Sequence, residues 1–163
     1  MTADSEAGRR ERRLARELSI DGTAVIAMGA WSVLKLITRI LVERQRLFDV
    51  AAEGDMPAAV LWPIIAVFVL VVGGVIMAFH LYIGASARME AKSGSHLPFY
   101  LLLSGVFAFL FAQTALVHLF DGAQENETAS AIIDLTVIYA LVNVIVSARR
   151  LRRIRRADAD GGR

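Results

Sequence analysis

Hydrophobic positions fall along the chain in four long runs, at about residues 22–42, 58–84, 98–120 and 129–148. Each is near the 20 residues that carry an α-helix across a ~30 Å hydrocarbon core. None shows the two-residue alternation of a barrel strand, and lipid offers the backbone no hydrogen-bond partner, so the runs predict helices. The expected fold is all-α: a polytopic membrane protein whose four transmembrane helices form an antiparallel bundle with short loops and charged cytoplasmic termini.

The polar stretches divide the rest. Residues 1–20 read as a charged cytoplasmic arm, in which Leu14 and Leu18 sit four apart among arginines, either as a short interfacial helix or as a solvated segment. Residues 21–148 form the transmembrane domain, with Asp21, Gly22 and Thr23 offering a cap to span one. Pro57 and Pro63 open span two, whose ~27 residues exceed the bilayer and require tilt or protrusion. Ser93-Gly94-Ser95 breaks the next connection, and Pro98 opens span three. Residues 149–163 are an arginine-rich tail that continues helix four out of the membrane.

Composition agrees with the runs, because 56% hydrophobic residues in a 163-residue chain is more apolar surface than a soluble domain of this size hides. Charge then orients them. The arm carries Arg9, Arg10, Arg12, Arg13 and Arg16, the connection between spans two and three carries Arg88 and Lys92, and the tail is rich in arginine. The two remaining connections hold only Arg44 and Arg46, against Asp121, Glu125 and Glu127, so both termini are expected in the cytoplasm. Sixteen of the 18 basic residues are arginine, a bias typical of GC-rich genomes, which points to a bacterial inner membrane. The absence of cysteine removes thiol redox chemistry and thiolate metal sites.

Ionisable groups at membrane depth are costly and are therefore the first candidates for function. Lys35 in span one and Asp134 in span four lie at similar depth below the outer boundary, near enough to pair, and His118 lies near the outer end of span three. These three form the candidate polar site, as an outward-facing cavity for a proton, ion or small solute or as a structural ion pair. Span one needs such a pair, since its nine Val, Ile and Leu residues offer roughly −4 kcal/mol against about +3 for each central Lys or Arg. Thr136, Tyr139, Asn143 and Ser147 make a second stripe on span four, read as a helix-packing face. Arg149, Arg150, Arg152, Arg153, Arg155 and Arg156 are candidate contacts for anionic headgroups, and without interleaved aromatic residues they do not suggest nucleic acid.

His80 shares a face with Gly73 and Gly84, and His96 is near its level, so a haem between them is a weak further possibility. No phosphate loop, metal-type histidine pair or catalytic triad is present. The sequence therefore suggests a non-enzymatic accessory, scaffold or assembly subunit without a cofactor, acting as a homo-oligomer or beside a membrane-protein partner. A small transporter or channel built on Lys35 and Asp134 is the alternative, and a haem-binding redox subunit is the third.

Overall fold

The computed structural model describes residues 3–54, 57–94, 98–120 and 125–161, and nearly all of these are helical. The helices are α1 (Ala3–Val42), α2 (Arg44–Glu53), α3 (Ala58–Ser93), α4 (Phe99–Phe120) and α5 (Glu125–Gly161). Helices α1, α3, α4 and α5 are each long and apolar enough to cross a membrane, which makes this a multi-pass membrane protein.

The charged arm is not a separate segment. Helix α1 runs unbroken from Ala3, Leu18 is fully buried, and Leu14 and Ala15 pack against the core. Within this helical region Arg9, Arg10, Arg12, Arg13 and Arg16 are exposed, while the leucines turn to the protein. Asp21 is accordingly inside a helix rather than at its cap, and its carboxylate accepts a hydrogen bond from Ser147 Oγ at 2.7 Å. The first connection holds a helix that the hydrophobic pattern did not reveal: α2 follows a break at Glu43 and sets Phe48 edge-on to Trp62 of α3, with centroids 5.5 Å apart.

Two hairpins make the bundle. Helix α1 packs along α3, α4 packs along α5, and the hairpins meet mainly through α1 and α5, while α3 and α4 touch little. Glycine sets the first hairpin. A Cβ on Gly22 would come 2.7 Å from the Gly84 carbonyl oxygen, and one on Gly29 would come 2.5 Å from His80 Cβ. Any larger residue at these positions would push the helices apart.

The α1/α5 seam is built on the 3.5-residue repeat of coiled coils. Asp134, Val137, Leu141, Val144, Ala148 and Leu151 are all buried at alternating spacings of three and four along α5. Polar contacts fix its register: Glu11 with Arg155, Asp21 with Ser147, and Lys35 with Asp134. These are ten and then fourteen residues apart on α1 and eight and then thirteen on α5, as antiparallel helices in register require.

The lipid-facing surface marks the membrane. On α5 the exposed residues Ile132, Leu135, Tyr139, Val142 and Val146 form one stripe that continues directly into Arg149, Arg153 and Arg156. On α1 the exposed stripe changes from Ile20 to Arg16. The Asp21–Ser147 bond places both changes at one level, so they trace one edge of the hydrocarbon. Fifteen residues beyond Arg149, at ~22 Å of helical rise, Asp134 lies within ~8 Å of the opposite edge.

Candidate functional site

Two polar clusters occupy the bundle, one near each edge of the hydrocarbon. In the first, Lys35 Nζ stands 2.7 Å from Asp134 Oδ1 and 3.4 Å from the Ser130 carbonyl oxygen. Asp134 is buried, whereas the Lys35 side chain remains 22% exposed. The Lys35 ammonium is thus held against a buried carboxylate while part of the side chain remains at the bundle surface. Asp134 Oδ2 has no hydrogen-bond partner, although it is buried. The structure thus brings Lys35 and Asp134 together; the side chain of His118 lies outside the described residues.

The second cluster is at the arginine-rich end. Arg152 grips the buried Glu90 carboxylate with both arms of its guanidinium, Nε to Oε1 at 2.5 Å and Nη2 to Oε2 at 2.7 Å. Tyr100 donates its hydroxyl to Oε2 at 2.5 Å. Arg155 donates to Glu11 Oε1 at 2.8 Å and to the backbone carbonyl of Glu90 at 3.0 Å. Four helices meet here, and the charge of Arg155 sits on the C-terminal carbonyls of α3, where the helix dipole favours a cation. Gly94 ends α3 with φ +74°, and the Arg155 guanidinium lies against it so closely that a Cβ would meet Nη1 at 3.0 Å.

Two of the six tail arginines are thereby removed from the lipid contacts expected of them. Arg152 and Arg155 turn inward to Glu90 and Glu11, while Arg149, Arg150, Arg153 and Arg156 are exposed. The repeat explains the division, since Arg152 and Arg155 follow the buried Ala148 and Leu151 around the helix. The stripe Thr136, Tyr139, Asn143 and Ser147 is likewise divided. Ser147 reaches Asp21 and Asn143 is half-buried, but Tyr139 is exposed and Thr136 returns its hydroxyl to the Ile132 carbonyl. The fully buried face of α5 is the one that carries Asp134, with Asn143 and Ser147 half-buried beside it.

His80 is fully buried in the middle of the bundle. Its Nδ1 lies 2.8 Å from the Ile76 carbonyl oxygen, its Nε2 has no partner, and Phe107 and Phe111 present the ring with edges at 5.8 and 6.1 Å. The glycines near it do not open space for a macrocycle. Gly29 is closed by His80 itself, Gly84 by Gly22 and Ile26, and Gly73 by Val33, so α1 fills the room that a haem would need. His96 lies outside the described residues. Among the described residues, no three His, Asp or Glu side chains gather as metal ligands.

Sequence reasoning missed Glu90, Tyr100 and the glycine contacts of α1. Glu90 was hidden between Arg88 and Lys92 in what looked like a basic loop. One signal was present: the repeat of small and apolar residues from Val137 through Leu151 runs past the end of span four and into the arginine tail. Comparison with known proteins adds no relative, since no family model, no curated protein and no solved structure matches this chain.

Proposed function

We propose that this protein is a non-enzymatic accessory or assembly subunit of a bacterial inner membrane, with both termini in the cytoplasm. The observation that carries the reading is the direct Lys35–Asp134 contact, in which the costliest polar groups near the outer edge neutralise each other across the α1/α5 seam. A pair so joined fixes helix register and makes span one insertable. The glycine-set hairpin and the Glu90 cluster support the same reading, since they spend polar groups on holding helices together. The apolar outer faces of α3 and α4 then serve for contact with a second copy or another membrane protein, and Arg149, Arg150, Arg153 and Arg156 contact anionic headgroups.

Native mass spectrometry from mild detergent tests the assembly role. A stoichiometric complex larger than the 17.8 kDa chain supports it, and a monomer that remains alone in the native lipid counts against it. Orientation is read separately, because the chain has no cysteine and accepts single reporters. Cysteines placed at Ser5 or Ala159 should resist external labelling in intact cells.

One observation favours the second reading, a proton or ion path: Asp134 Oδ2 is buried and unpartnered. Flux into vesicles that Asp134→Asn abolishes without loss of folding would favour transport over assembly.

A further inference from the structure

Asp134 Oδ2 and His80 Nε2 are the two side-chain polar atoms that are buried without a hydrogen-bond partner among the described residues. An unsatisfied buried polar group costs about 1–3 kcal/mol, and native proteins commonly meet that need with internal water. The two atoms are not scattered. Lys35 lies against Asp134, Gly29 lies against His80, and Ser32 is midway between them on α1. From Gly29 to Lys35 the helix climbs ~9 Å, and Ser32 is ~4.5 Å from each level. Ser32 is buried too, and its hydroxyl donates to the Met28 carbonyl at 2.9 Å, which leaves its lone pairs open to a donor.

We propose that Asp134, Ser32 and His80 are joined by internal water into a proton path that loads His80 Nε2 from the end of the bundle marked by Lys35. Three features give the path its chemistry. The Ile76 carbonyl can only accept a hydrogen bond, so the ring proton belongs on Nδ1 and Nε2 keeps its lone pair. The lysine has three N–H groups, of which Asp134 Oδ1 and the Ser130 carbonyl take two, which leaves one for a water at that end of the bundle. Each ~4.5 Å step on either side of Ser32 is the reach of one water making two hydrogen bonds of ~2.8 Å.

The step itself is a reversible proton transfer. A proton carried by the innermost water forms an N–H bond at Nε2, the ring becomes an imidazolium with Nδ1–H still on Ile76, and the proton later returns to the same water. The ring packs against Gly29 of α1 and against Phe107 and Phe111 of α4. Along the axis, Lys35 of α1 and Asp134 of α5 stand on one side. Glu90 of α3, with Arg152 of α5 and Tyr100 of α4, stands on the other, ten residues or ~15 Å along α3. This path is independent of the assembly role, and oligomeric state does not report on it.

Nitrogen NMR of the full chain in phosphatidylglycerol vesicles tests it, with labelled histidine and the changes His96→Asn and His118→Asn so that His80 alone is seen. The expected result is magnetisation transfer from water to His80 Nε2, and conversion of that nitrogen from bare to protonated as pH falls from about 7 to about 4. Ser32→Val should slow exchange of the Nε2 proton with water at least tenfold, and Ser32→Thr, which restores the hydroxyl, should recover it. A nitrogen that receives no magnetisation from water and stays bare across that range in the folded protein overturns the proposal. Equal exchange in Ser32→Val and the unaltered chain overturns the route through Ser32. If Ser32→Val does not fold, the water transfer in the unaltered chain still decides.

Discussion

Glu90 and Asp134 are both carboxylates with 1% of their surface exposed, and both face a cation from another helix, but they are held differently. Glu90 receives two arms of Arg152 and the Tyr100 hydroxyl, so both oxygens are used. Asp134 receives the lysine on one oxygen and nothing on the other. Arginine presents a planar fork that matches a carboxylate, whereas lysine is a point donor on a flexible stem, and that chemical difference explains the contrast. The cluster at the arginine-rich end is a finished lock. The pair at the other end is a weaker tie with capacity left over.

Breaking the lock should have the largest effect. Glu90→Gln leaves Arg152 without its charge partner at a site joining three helices, and a loss of about 3–5 kcal/mol is expected in denaturant unfolding from detergent micelles. Lys35→Met should cost less, about 2–3 kcal/mol, because Asp134 loses one hydrogen bond from a point donor rather than a two-armed fork. The double change Lys35→Met with Asp134→Leu sharpens the comparison: it should unfold within about 1 kcal/mol of the unaltered chain, since an apolar pair replaces the ions. Tyr100→Phe removes one of the three bonds to Glu90 and should cost about 1 kcal/mol. Arg13→Ala breaks an exposed pair with Glu17 within α1, and its effect should stay under about 0.5 kcal/mol in the same assay. A Lys35→Met loss larger than that of Glu90→Gln would reverse the ranking of the two ends.

The four crossings were legible because a span is a property of a continuous run, and a run can be counted in one dimension. The depth match of Lys35 and Asp134 was legible for the same reason, since helical rise converts residue number to height. Rotation around the helix was harder. The stripe through Thr136 and Tyr139 and the buried face through Asp134 and Val137 are both regular, and in lipid an exposed face is as apolar as a packed one, so hydrophobicity does not separate them. Glycine contacts such as Gly22 with Gly84 depend on two helices meeting in register, which no single segment records. The burial of Leu18 and the packing of Leu14 were not legible, because the arginines around them dominate the pattern of residues 3–20.

The α1/α5 seam also sets a timetable. Lys35 and Asp134 are 99 residues apart, and at about 5–20 residues per second the lysine is made some 5–20 seconds before its partner exists. Helix α3 is complete well before α5, and its Gly84 and His80 fit directly onto Gly22 and Gly29 of α1. The first hairpin therefore shelters the newborn span while the ribosome is still working on the rest. The seam closes last, when α5 emerges and delivers Asp134, Ser147 and Arg155 to a helix that has been waiting for them.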